Sequence, residues 1–188
     1  FLLNVSLVAV PNPVIIGNNS LCQFNLETYS VNYDQGSTYS WTANNGSIIG
    51  SSTTSSLNVN WNTTGQGSVT VTETNSFGCV QTNSLPVTVM VRPVPVINGS
   101  NNGCLNSSAN NYSSPLMANT NYFWNVSGGT IVAVSGTNAI GVQWNSTGAN
   151  TVTLKVINSI TGCDSTASLT VNVEPLIAPL INASSLSG

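Results

Sequence analysis

The chain has 188 residues, of which only 4% are charged; two are cations (Arg92 and Lys155), five are acids and none is histidine. That balance excludes nucleic acid and anionic membrane surfaces as partners, since both need clustered Lys or Arg. The missing histidine removes Ser-His and Cys-His nucleophile pairs, and no apolar run reaches the ~18 residues of a spanning helix, so membrane insertion is not expected.

In chain order, residues 1–9 alternate apolar positions at Leu3, Val5 and Leu7. Phe1-Leu2-Leu3 lacks the basic flank and long apolar core of a signal peptide. Pro11 and Pro13 then mark an extended joint. Tyr39 and Trp41 alternate about Ser40, and Asn44-Asn45-Gly46 is a turn signal. Leu57, Val59 and Trp61 face away from Asn58, Asn60 and Asn62. After the turn Thr64-Gly65-Gln66-Gly67, Val69 and Val71 alternate with Thr70 and Thr72, and Ser76-Phe77-Gly78 turns the chain again. A period of two in β-branched and aromatic residues predicts half-buried antiparallel strands.

Beyond Pro93 and Pro95 the same order returns, with Tyr122 and Trp124, then Ile140, Val142 and Trp144, then Val152, Leu154 and Val156. Trp41 to Trp124, Trp61 to Trp144 and Gly65 to Gly148 are each 83 residues; Cys22 to Cys104 is 82 and Cys79 to Cys163 is 84. A repeat of that length is a whole domain, since solenoid turns run about 20–50 residues. The extra residue in the second copy falls between Asn158 and Cys163, and it belongs in a turn, because an insertion within a strand inverts its facing. No window carries a helical period. The predicted fold is all-β: tandem immunoglobulin-like antiparallel β-sandwiches of about seven short strands each.

The ends echo the middle. Leu3, Val5, Leu7, Pro11 and Pro13 align with Leu85, Val87, Val89, Pro93 and Pro95, and Pro179-Leu180-Ile181-Asn182 echoes Pro95-Val96-Ile97-Asn98. The expected boundaries are therefore 1–9 as the last strand of a preceding repeat, 10–92 and 93–175 as two sandwiches, and 176–188 as the start of a following repeat.

Four cysteines at matching places read as disulfides in an oxidising compartment. They allow three pairings. The repeat favours Cys22–Cys79 and Cys104–Cys163, which close each module on itself, over Cys79–Cys104, which joins the modules. Each favoured bridge closes a loop worth roughly 4 kcal/mol of chain entropy. Without a CxxC pair or a histidine, zinc is not expected.

Catalytic, cofactor and metal residues are all expected to be absent. The acids Glu27, Asp34, Glu73, Asp164 and Glu174 do not recur between copies; Glu73 corresponds to Val156 and Asp164 to Val80. Glu27 and Asp34 form the one carboxylate pair to weigh for glycoside hydrolysis, and they read as isolated surface acids. Calcium at a joint wants clustered acids, and only Glu174 lies near one. Lys155 points outward by its alternation, which excludes an internal isopeptide bond. Trp41, Trp61, Trp124 and Trp144 read as core anchors, and Phe123, on the opposite face from Tyr122 and Trp124, is the candidate for stacking on a sugar. Asn-x-Ser/Thr acceptors for glycans include Asn4, Asn62, Asn145 and Asn182.

Tyr39-Ser40-Trp41-Thr42-Ala43-Asn44-Asn45-Gly46 and Tyr122-Phe123-Trp124-Asn125-Val126-Ser127-Gly128-Gly129 resemble the Tyr-x-Trp-x-Phe-Gly-Asp-Gly hallmark of PKD-type domains, without its aspartates. Val59-Asn60-Trp61 to Gly65, then Val69-Thr70-Val71 and Gly78-Cys79, resemble the cysteine-bearing PKD-like repeats of very large surface proteins in Bacteroidota. That resemblance implies a β-sandwich at the cell surface, export by the type IX route, and a role in adhesion, gliding or a filament. Asp164-Ser165-Thr166 fits the O-glycosylation pattern of that group, which makes Ser165 an acceptor. The implied function is a disulfide-stapled spacer in an extracellular stalk, adhesin or filament. Its partners would be neighbouring repeats, other copies in a fibre, or surface glycans. The alternatives are a carbohydrate-binding module of a secreted protein, and a filament subunit in which residues 1–9 complete a neighbour's sheet.

Overall fold

The computed structural model describes residues 8–133 and 138–176. The chain divides into two compact units, Phe1–Arg92 and Pro93–Gly188. In the first, β1 (Ser20–Cys22), β7 (Val80–Met90), β6 (Gly65–Thr74) and β3 (Thr38–Asn44) form one sheet in that order, and β2 (Asn25–Ser30), β5 (Ser56–Trp61) and β4 (Ser47–Ile49) form the other. In the second, the order β8 (Asn102–Cys104), β14 (Asp164–Glu174), β13 (Gly148–Asn158), β10 (Thr120–Ser127) repeats the first sheet. Its partner sheet is β9 (Asn110–Ser113), β12 (Ala139–Trp144), β11 (Gly129–Ile131). The described residues contain no helix.

The alternation sets which side is buried. On β3, Tyr39 and Trp41 are buried while Ser40 and Thr42 are exposed; on β5, Leu57, Val59 and Trp61 turn inward. With Val69, Val71, Val87 and Val89 from the larger sheet they make one core, and the second unit repeats it around Tyr112, Val142, Trp144 and Leu154. At the centre of each core, a tyrosine meets a tryptophan edge-on: Tyr29–Trp61 at 6.3 Å and 80°, Tyr112–Trp144 at 6.2 Å and 83°. Such T-shaped pairs add about 0.5–1.5 kcal/mol beyond their area burial. Both tyrosines lie against a glycine. A Cβ at Gly17 would stand 2.4 Å from Tyr29 Cδ1, and one at Gly99 would stand 2.3 Å from Tyr112 Cδ1.

The all-antiparallel expectation needs one correction. β1 runs parallel to β7, and β8 runs parallel to β14. These three-residue edge strands are too short to show an alternation in sequence, and a parallel neighbour cannot be joined through a hairpin. The expected extra residue lies in a turn: Asn75 N donates to Cys79 O in one copy and Asn158 N to Cys163 O in the other. Core facing is preserved on either side of it.

Of the expected terminal strand over 1–9, residues 1–7 lie outside the described residues, and Val8 and Ala9 belong to no strand. The expected repeat start over 176–188 lies outside them except for Leu176.

Candidate functional site

The four tryptophans are all buried: Trp61 and Trp144 completely, Trp41 to 3% exposure and Trp124 to 8%. Two tyrosines next to them lock loops. Tyr39 Oη accepts from Asp34 N at 2.8 Å and donates to Asn32 O at 3.3 Å. Tyr122 Oη accepts from Met117 N at 2.7 Å and donates to Pro115 O at 2.9 Å. Burial pushes the Tyr39 phenol up, with Glu73 and Asp34 adding to the rise against a bond from the Asp34 backbone.

The acids serve local structure. Glu27 Oε1 accepts from Asn18 N and Nδ2 at 3.1 and 2.9 Å, Asp164 pairs with Lys155 at 2.7 Å, and Glu174 Oε1 accepts from Asn172 Nδ2 at 2.7 Å. Lys155 is exposed, as its alternation requires. Among the described residues no group of three or more His, Cys, Asp or Glu gathers where a metal could bind. Arg92 ties down the outgoing end of the first unit, donating from Nε to Gln23 O and from a terminal nitrogen to Asn25 Oδ1, both at 2.7 Å.

The outward face of the larger sheet carries hydroxyls where soluble domains usually carry charge. Thr70 Oγ1 donates to Ser84 Oγ at 2.9 Å, and Thr72 and Thr82 share a bond of 2.9 Å; Thr153 and Ser168 pair across the second unit at 3.3 Å. Such cross-strand pairs contribute about 0.2–1 kcal/mol each. Phe123 projects from this face, 52% exposed and opposite Lys155. Asn62 and Asn145 are exposed immediately after the core tryptophans, and Ser165 is half-buried at the start of β14. Asn4 and Asn182 lie outside the described residues.

The cysteines depart from expectation. Cys22 and Cys163 are in disulfide linkage, whereas Cys79 and Cys104 are thiols. Neither within-module pair exists, because each would need one of the free thiols. Strand order gives the physical reason. Cys22 stands beside Met90 at the end of β7, and Cys79 immediately precedes Val80 at its start. The 11 residues of β7 separate them, roughly 35 Å at ~3.3 Å per residue, whereas a disulfide needs Cα atoms within about 7 Å. In the second unit Cys104 stands beside Glu174, and Cys163 precedes Asp164 at the other end of β14.

A family model described as a PKD-like domain matches the chain twice, over residues 8–87 and 90–173. No curated protein matches it. Among solved structures, the fibronectin(III)-like modules of Clostridium thermocellum CbhA are 11% identical over 86% of this chain and 95% of theirs, with a TM-score of 0.39. Murine CEACAM1b is 13% identical over 87% of this chain and all of its own, at 0.36. The human desmocollin-1 ectodomain is 14% identical over 97% of this chain and 39% of its own, at 0.32. Likenesses this distant say nothing of what the chain binds. The two family matches span most of its length, and the chain belongs to the PKD-like domain family, which it carries in two successive copies.

Proposed function

We propose that the chain is a structural segment of a long extracellular stalk, adhesin or filament at the cell surface, a non-catalytic spacer strengthened by a disulfide. One observation carries this reading: the two modules share their builders and none of their charged residues. The Tyr–Trp pair, the glycine beneath the tyrosine and the tyrosine-locked loop recur in both. The acids stand alone, and most are spent on neighbouring amides or on Lys155. A disulfide in a chain of this composition suits an oxidising compartment. Antibody labelling of intact cells tests the location. Labelling without permeabilisation supports the proposal, and signal only after lysis overturns it.

Carbohydrate binding is the second reading, and exposed Phe123 favours it. The equivalent position in the first module is Ser40, so such a site would belong to one module. A glycan array compared with Phe123→Ala decides: binding lost in the variant supports it, and no binding above background removes it.

A further inference from the structure

The outward faces of the two larger sheets diverge most sharply at one cluster. In the first module the row across β3, β6 and β7 is Ser40–Thr72–Thr82, with Thr38–Thr74–Val80 beside it. In the second, the same two rows across β10, β13 and β14 read Phe123–Lys155–Thr166 and Asn121–Ile157–Asp164. Three of these exchanges change the chemistry of the face: Ser40 becomes Phe123, Thr72 becomes Lys155, and Val80 becomes Asp164. The three lie far apart in sequence and meet only through the sheet. Phe123 and Lys155 are direct cross-strand neighbours, so their Cβ atoms stand about 4.5–5.5 Å apart. Lys155 Nζ in turn reaches Asp164 Oδ2 at 2.7 Å. Stability does not account for the cluster. The ion pair is 48% and 39% exposed, and an exposed pair contributes little. A chain with 4% charge has set its only lysine and an acid beside an exposed phenylalanine.

We propose that Phe123, Lys155 and Asp164 form one saccharide site on the outward face of β10, β13 and β14, and that its ligand is a neutral glycan. This rests on the carbohydrate-binding reading and adds to it the polar partners and the ligand class. Phe123 offers an apolar ring for the C–H face of a pyranose to stack on. A few polar groups beside such a platform fix orientation. The Lys155 ammonium donates only and the Asp164 carboxylate accepts only. The pair therefore suits two adjacent sugar hydroxyls, one accepting from Nζ and the other donating to the carboxylate. Asn125, two residues from Phe123 on the same exposed side of β10, adds an amide that can donate or accept. From Phe123 across to Thr166 the face spans two strand spacings, roughly 10 Å, which a disaccharide covers. Charge decides the class. Asp164 already neutralises Lys155, and the module's other charged residue is the acid Glu174, so no surplus cation serves a uronate or a sulfate.

Affinity gel electrophoresis of the 188-residue chain tests this, with neutral polysaccharides (β-glucan, mannan, xylan) set against acidic ones (alginate, polygalacturonate). The variants Phe123→Ser, Lys155→Thr and Asp164→Val install the residues that the first module carries at the same positions, and thermal melting checks that each still folds. Lys155→Gln and Asp164→Asn give the same comparison if a replacement disturbs the fold. The expected result is retardation of the wild type by a neutral polysaccharide and not by the acidic ones, lost in each variant while its melting is unchanged. Loss in Phe123→Ser alone leaves sugar stacking on Phe123 standing and overturns the three-residue site. Retardation by the acidic polysaccharides overturns the neutral class. No retardation by any of them overturns the site together with the carbohydrate reading.

Discussion

In the first module Asn45 sits in a left-handed conformation (φ 64°) above Gly67; in the second, Gly128 (φ 70°) sits at the equivalent place beneath Asn150. The two positions have exchanged residues. Asn45 Nδ2 donates to Thr63 O at 3.3 Å, and Asn150 Nδ2 donates to Ser146 O at 2.9 Å, which is the same carbonyl one repeat later. What the repeat keeps is an amide pointing at that carbonyl. It is delivered from the turn after β3 in one copy and from β13 in the other. Two more differences separate the modules: Glu27, near Tyr29, becomes Asn110, and buried Glu73 becomes Val156.

The largest expected effect concerns the first of these. Burial, partly opposed by the Trp61 indole N–H and aided by the Glu27 charge, pushes the Tyr29 phenol up to about 12. Burial also raises the Tyr112 phenol, opposed by the Trp144 indole and with no carboxylate contributing. A raised phenol keeps its proton in the folded state while the unfolded chain loses it. Its stabilisation is therefore complete below about pH 10 and is lost as pH rises toward 12. For Tyr29 the loss is on the order of 2 kcal/mol, at ~1.4 kcal/mol per pH unit. Urea unfolding at pH 9 and pH 11.5 reads it directly, and Tyr29→Phe should flatten much of the slope. A wild-type curve unchanged between those pH values would refute the burial of Tyr29 as the source.

The exchanged pair supplies the next. Gly67→Asn alone places a side chain where a Cβ already stands 2.6 Å from Trp61 Cζ3 and 2.7 Å from Asn44 O. Overpacking of this kind costs about 1–3 kcal/mol. Adding Asn45→Gly recreates the second module's arrangement, so the double variant should recover most of the loss, measured as a coupling energy in a double-mutant cycle. Simple additivity would mean that the two amides are not interchangeable.

Much of the fold was legible because it depends on periodicity. The rows Leu57-Val59-Trp61 and Ile140-Val142-Trp144 point inward as their alternation requires. The cysteine pattern was not legible, and symmetry is the reason. A repeat places Cys22 and Cys104 at like positions, but it does not show whether either can reach the second cysteine of its own module. That depends on which end of β7 each cysteine occupies, and thus on β1 lying parallel to β7. A three-residue strand carries no periodic signal of that pairing. The Asn45–Gly67 exchange is visible in an alignment of the copies as two unrelated substitutions. Only the pairing of Asn44 with Ser68 across β3 and β6 brings them to one place.

The smallest expected effect comes from the third difference. Glu73 is 3% exposed, and its Oε1 has no hydrogen-bond partner. It pairs in register with Tyr39, as Val156 pairs with Tyr122. The locked loop does not depend on the acid, since Tyr122 makes the same two backbone contacts opposite a valine. Leaving a buried polar group unsatisfied costs about 1–3 kcal/mol. Glu73→Val removes that cost and loses contacts from a shorter side chain, at about 0.8 kcal/mol per buried methylene. The first term is the larger, so the variant should gain about 1 kcal/mol, seen as a rise of roughly 4–8 °C in the melting of the first module. A fall instead would show that the carboxylate supports the Tyr39 loop, and that the two modules hold this loop by different means.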